Sequence, residues 1–156
     1  MTELVSLDDT DRSILRLLQQ DSSMSVAAVA RRVGLSQTPC WRRIKRLNES
    51  GLIVGRVTLL DPARAGFAIN VFALISFKVV DEATMNAFER AVQDIEEIVE
   101  CYSVTGPRDF LMRIVAESVE QYDKLLKKKI IHLPGVAAVD TIMTLSCVKF
   151  STRLPL

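Results

Sequence analysis

The chain has 156 residues, 49% hydrophobic and 25% charged, enough for one ordinary domain or two small ones with a true core. That mix excludes a disordered chain, a collagen-like fibre and a coiled coil of repeating charge, and no apolar run approaches the ~20 residues of a membrane-spanning helix. The net charge of +1 hides a split: nine Lys/Arg against six Asp/Glu in residues 1–60, but eleven against thirteen in 61–156.

Three helical patterns fill the N-terminal part. Asp8 caps the first, with Asp11 in its opening turn and Ile14, Leu15, Leu17 and Leu18 as its apolar stripe. Ser25 caps a short second helix over 26–33, stopped by Gly34. The third opens with Ser36 as N-cap, Leu35 stapled onto Cys40, and Pro39 tolerated in the first turn. At about 100° per residue, Cys40, Ile44 and Leu47 share a core face. Thr38, Arg42 and Lys45 fall opposite, flanked by Trp41 and Arg46.

Between Arg31 and Arg46 stand six cations and no acid. A helix, a tight Gly turn and a second helix with a basic outer face make the helix-turn-helix pattern, which meets a polyanion. Its long cations reach phosphates, and residues near its start approach base edges. The candidate DNA contacts are Ser36, Gln37, Thr38, Trp41, Arg42, Arg43, Lys45 and Arg46. Asn48-Glu49-Ser50-Gly51 ends the helix, and 52–60 reads as one or two short strands about Gly55, a wing whose Arg56 touches a neighbouring phosphate. Residues 1–60 are thus expected to form a winged helix-turn-helix domain.

Residues 61–70, with Asp61-Pro62-Ala63-Arg64-Ala65-Gly66, read as a hinge. Residues 71–156 read as a second, αβ domain. A strand runs over 70–80, followed by a helix over 82–95 with Ala87, Phe88, Ala91, Val92 and Ile95 inward. Strands over 99–105 and 110–116 flank the turn Gly106-Pro107-Arg108-Asp109. A capping box, Ser118 and Gln121, opens a helix with Val119, Tyr122, Leu125, Leu126 and Ile130 inward. Leu133-Pro134-Gly135 breaks it, and 136–150 reads as a long last strand. The order βαββαβ is the ferredoxin-like α+β unit, with helices on one side of an antiparallel sheet.

In the first strand Val71, Ala73, Ile75, Phe77 and Val79 share one face, yet Phe72 and Leu74 make the other partly apolar too. A sheet face in water should be polar, so the same sheet of a second copy is the economical cover, in a two-fold dimer. Lys127-Lys128-Lys129 shares its helix with Glu117, Glu120 and Asp123 and reads as a solvated face.

The signatures of catalysis are missing. Cys40, Cys101 and Cys147 are scattered, and His132 stands alone, which speaks against a disulfide framework and a histidine zinc site. No GxGxxG, Walker A or GxSxG motif occurs, so no catalytic residue, metal or cofactor is assigned. The N-terminal residues Met1 to Asp9 lack a basic start and apolar stretch, so a cytoplasmic, nucleoid-associated protein is expected.

The run from Arg32-Val33-Gly34-Leu35-Ser36-Gln37-Thr38-Pro39-Cys40-Trp41 to Leu47, then Glu49-Ser50-Gly51-Leu52-Ile53, resembles the helix-turn-helix signature of the Lrp/AsnC (leucine-responsive/asparagine-responsive) regulators. The likeness continues through Glu96-Glu97-Ile98-Val99-Glu100-Cys101, the Gly106-x-x-Asp109-Phe110-Leu111 turn and Leu133-Pro134-Gly135-Val136. It implies a sequence-specific transcriptional regulator of amino-acid metabolism, binding roughly palindromic promoter DNA. It also implies a ligand-sensing domain that dimerises through its sheet, assembles to tetramers or octamers, and holds an amino-acid effector between subunits. Carried onto this chain, the effector residues are Tyr102, Thr105, Gly106, Asp109 and Leu111, with Thr141 and Thr144 on the last strand as hydroxyl partners. Asp109 would receive the α-ammonium group. The turn departs from the usual Gly-Asp-x-Asp-Tyr by carrying Pro107, Arg108 and Phe110, which makes it less acidic. Two other readings stay open: an amino-acid-sensing module that does not bind DNA, and a tetrapyrrole decarboxylase-like enzyme of similar architecture.

Overall fold

The computed structural model describes residues 4–79 and 81–156. Met1, Thr2, Glu3 and Val80, the expected end of the first strand, lie outside the described residues. The chain forms two compact units: one runs up to Thr58 and takes in Lys149–Leu156, the other is Leu59–Val148.

The first unit holds α1 (Asp9–Gln20), α2 (Val26–Arg32) and α3 (Gln37–Glu49). Asp8 and Asp11 close a capping box: the Asp8 carboxylate accepts the Asp11 amide at 2.7 Å, and the Asp11 carboxylate accepts the Asp8 amide at 3.3 Å. Ser25 caps α2 by accepting the Ala28 amide at 3.2 Å. Ser36 is the N-cap of α3 by position only, because its hydroxyl makes no cap bond. Gly34 turns the chain between α2 and α3 with φ +71°, a conformation L side chains rarely adopt. Ile14, Leu15, Val29, Ala30, Cys40, Ile44 and Leu47 are buried as one core, so the apolar face read for α3 is the packed one.

Two expectations for this unit change. Residues 52–60 form no strand: among the described residues they find no ladder partner, which a strand requires, and Val54 and Val57 stand in solvent. Only Ile53 turns inward, its amide bonded to the Leu47 carbonyl at 3.3 Å. The C-terminal tail, expected in the αβ domain of 71–156, belongs to the helices instead. Leu156 packs against their core, and Arg16 donates to its carbonyl at 2.5 Å. The Leu154 amide donates to the Gln19 side chain at 2.6 Å.

The second unit contains β1 (Ile69–Phe77), α4 (Glu82–Gln93), β2 (Ile98–Ser103), β3 (Phe110–Ala116), α5 (Val119–Lys128), a 3-10 turn at Ile130–His132 and β4 (Val136–Met143). The sheet is antiparallel throughout, in the order β2-β3-β1-β4. The last strand is shorter than expected because β1 begins at Ile69, and beyond Thr144, whose amide bonds the Asn70 carbonyl at 3.1 Å, there is nothing left to pair with. Val71, Ala73 and Ile75 are buried with Phe88, Val92, Ile114 and Ile130, while Val79 lies past the strand in solvent. Phe88 sits between Phe77 and Phe110, with ring centroids 5.0 and 4.5 Å away. Val119, expected inward on α5, is exposed in the helix's first turn. Gly135 (φ +79°) brings the chain against α4: a Cβ there would lie 2.4 Å from the Thr84 methyl. No helix among the described residues is long and apolar enough to cross a membrane.

Candidate nucleic-acid interface and effector turn

The core face of α3 fixes which side chains it can offer outward. Ser36, Gln37, Thr38, Trp41, Arg42 and Lys45 are all exposed. Lys45 places its ammonium 5.3 Å from the centroid of the Trp41 ring and 3.6 Å from the Glu49 carboxylate. Arg42 makes no ion pair among the described residues. Between α2 and the first turn of α3 lies an open cleft of about 260 Å³, lined by Val26, Gln37, Thr38 and Trp41.

Arg43 and Arg46 behave differently. Arg43 donates to Asp8 at 2.6 Å and to Asp11 at 2.9 Å, and Arg46 also binds Asp11. Asp11 is only 1% exposed, and these two guanidinium groups are the partners of its buried carboxylate. The Asp11 amide and then Arg43 hold the Asp8 carboxyl below its usual range, while hydrogen bonds to Asp8 and Asp11 push Arg43 upward. Both arginines therefore tie α3 to α1, Arg43 half-buried and Arg46 still exposed. Helical spacing placed Arg46 on the outer flank and carries no sign, for either arginine, of partners 32 and 35 residues away. Arg56 is exposed on the unpaired segment after α3.

In the αβ unit the turn between β2 and β3 gathers the other candidates. Tyr102 and Leu111 are register partners, and the exposed Thr105 and Gly106 follow in the turn. Gly106 takes φ +122°, open to glycine and strained for other residues. Asp109 stitches the turn to the end of β1. Its amide donates to the Ile75 carbonyl at 2.9 Å, and its carboxylate accepts the Phe77 amide at 2.8 Å. Arg108 reaches the carboxylate of Asp140 on β4, with Nε at 2.6 Å. Asp140 had no signal in the sequence, since nothing local marks a partner on a strand 32 residues on.

The two threonines do not join this group. Thr141 pairs with the buried Ala73 and shares a 2.6 Å hydrogen bond with the Tyr122 hydroxyl, on the helix side of the sheet. Thr144 donates through its hydroxyl to the Asn70 carbonyl at 3.0 Å, at the opposite end of β1 from the turn. Burial, with Glu89 adding to it, pushes the Cys101 thiol up to about 11. Among the described residues no three His, Cys, Asp or Glu side chains come together as a metal site.

Comparison with known proteins accounts for both units. Residues 7–48 match the AsnC-type helix-turn-helix domain, and residues 70–154 match the Lrp/AsnC ligand binding domain. The leucine-responsive regulatory protein of Escherichia coli (strain K12) is 38% identical over 148 residues, 95% of this chain and 90% of that protein. A crystal structure of an AsnC family transcriptional regulator from Agrobacterium tumefaciens superposes with a TM-score of 0.91 at 38% identity, covering 96% of this chain and 97% of that one. A transcriptional regulator from Neisseria meningitidis, solved in complex with L-Met, gives a TM-score of 0.92 at 26% identity over the same shares. The chain belongs to the Lrp/AsnC family of transcriptional regulators.

Proposed function

We propose that the protein controls promoters by seating α3 of each of two subunits in successive major grooves, with an amino acid bound at the β2–β3 turn changing the assembly that does so. The observation that carries this reading is the outer stripe of α3. Gln37, Thr38, Trp41, Arg42 and Lys45 are all exposed over a helix whose inner face is buried and whose rear cations are tied to Asp11. Arg42 and Lys45 reach phosphates, while Ser36, Gln37 and Thr38 meet base edges. Arg56 adds a phosphate contact from the segment after the helix. A two-fold dimer would put half-sites about 34–36 Å apart, or a multiple of that.

The open face of the sheet supports the dimer. Phe72, Leu74 and Leu111 are only half-buried there, Ile142 and Tyr102 are exposed, and Arg113 is paired with Glu100 at 2.7 Å between them. Apolar surface of this kind is covered when a second sheet docks on it. Further assembly to tetramers or octamers raises avidity for long DNA.

The turn offers both charges an α-amino acid needs. Arg108 can take its carboxylate, while Asp109 and Asp140 keep oxygen lone pairs for its ammonium group. Gly106, Tyr102, Leu111 and Thr105 shape the wall around it. The L-Met complex of the Neisseria meningitidis relative supports a ligand of this class. The effector acts by binding two assemblies with different affinity. The protein works at the nucleoid, in the cytoplasm, as a regulator and not as an enzyme.

The test is selection of sheared genomic DNA by the purified protein, with and without pooled amino acids. Enrichment of a few promoters, shifted by the pool, is expected. Arg42→Ala should weaken binding across all selected sites and flatten its salt dependence. Absence of enrichment at low salt overturns the DNA reading; enrichment that ignores the pool overturns the effector reading alone.

A further inference from the structure

The cleft between α2 and α3 is lined in part by the proposed DNA contacts Gln37, Thr38 and Trp41, to which Val26 of α2 adds an apolar wall. Val26 contributes only hydrocarbon and Trp41 an indole that is 52% exposed, with Thr38 and Gln37 completing the wall. An aromatic ring left half in water beside an aliphatic side chain gains by being covered with another apolar group. Everything around it selects for a polyanion: Arg42 is exposed and the Lys45 ammonium lies 5.3 Å from the centroid of the indole ring, in a stretch with no acid from Arg31 to Arg46. An apolar partner that arrives attached to a polyanion, at the depth of the first turn of a groove-reading helix, is the 5-methyl group of thymine. It is the one hydrocarbon that the major groove displays.

We propose that this cleft is a thymine-reading site, in which Val26 and Trp41 bury the 5-methyl of one thymine in each half-site. The inference rests on the DNA reading above and names its base. Val26 matters here because it comes from α2, outside the helix that carries the other base contacts. Gln37, on the rim, keeps its carboxamide for the base pair beside that thymine, where its geometry suits adenine N6 and N7.

Deoxyuridine lacks only that methyl, so it isolates the contact. Each thymine of a selected site is replaced in turn by deoxyuridine, and affinity is measured at fixed salt for the full chain and for Val26→Ala and Trp41→Phe. One thymine per half-site is expected to lose about four-fold in affinity, the worth of one buried methyl. Both variants should bring that ratio toward one. If every deoxyuridine site binds within two-fold of its thymine counterpart while salt-dependent binding persists, the thymine site is wrong and the DNA reading stands. A penalty that survives in both variants places the methyl elsewhere and overturns the assignment to this cleft. Absence of DNA binding at low salt removes the DNA reading and this one with it.

Discussion

The helical unit buries seven core side chains, none of them aromatic, whereas the αβ unit buries fifteen, among them Phe88, Phe110 and Tyr122. The smaller unit makes up part of the difference with charge. Asp11, buried in the first turn of α1, holds Arg43 and Arg46 of α3. A helix that must keep one face free for a large partner has little apolar surface left for packing, so its rear flank is fixed by directed bonds. The αβ unit has no such constraint on its helix side, and apolar contact dominates there, with the Tyr122–Thr141 hydrogen bond beside it.

The molecule carries its own reporters for testing this contrast. Trp41, its one tryptophan, lies in the helical unit, and its two tyrosines, Tyr102 and Tyr122, lie in the αβ unit. The largest effect is expected from Phe88→Ala, which empties the centre of the aromatic trio. It should cost the αβ unit about 3–5 kcal/mol in denaturant, read by tyrosine absorbance. Asp11→Ala should cost the helical unit about 2 kcal/mol, read by tryptophan fluorescence, because it strips two charged hydrogen bonds and half of a capping box. If the tryptophan midpoint did not move, the arginines would be ornaments of the surface and the contrast between the units would fail.

Gly34→Ala tests the turn between α2 and α3. No atom lies within 4 Å of the added Cβ, so only the backbone at φ +71° objects, and a loss of about 1 kcal/mol is expected in the tryptophan signal. Acid sharpens the comparison further. Asp8 sits below its ordinary 3.8, so its contribution is complete above that value and is lost as pH falls through the lower folded one. Glu100, lowered from 4.5 mainly by its bonds to Arg113, acts in the same direction in the αβ unit. Both signals should weaken on acidification, and Asp8→Asn should remove part of the dependence from the tryptophan signal only.

What the sequence made legible was whatever repeats locally. Cys40, Ile44 and Leu47 lie inward at helical spacing, and Val71, Ala73 and Ile75 at strand spacing, because burial of an amphipathic element imposes its period on the residues. Partnerships across the chain leave no period. Nothing near Arg43 points to Asp11, and nothing near Arg108 points to Asp140. The same holds for Asp109: its carboxylate is engaged by the amide of Phe77, a bond that only the folded sheet creates. The strands expected about Gly55 illustrate the opposite limit, since β-propensity without a neighbour yields an extended segment and no ladder. Thr141 and Thr144 stand apart from the turn for a third reason, position in the folded sheet: Thr144 lies at the far end of β1. A strand's two faces lead to opposite sides of the sheet, and Thr141 is on the side of the helices.

The Asp11 bridge also alters how charge should be counted. Six cations stand between Arg31 and Arg46, and if each displaced one condensed counterion from DNA, one subunit would contribute about −5 to the log–log slope of affinity against salt. Arg43 and Arg46 already face a carboxylate of the protein itself. If that pairing keeps them from phosphates, only the other four cations displace ions condensed on the DNA, and the slope falls to about −4 per subunit. The entropy of liberated ions thus belongs to fewer residues than the basic stretch suggests, and more of the discrimination between sites is left to the short polar and aromatic side chains at the start of α3.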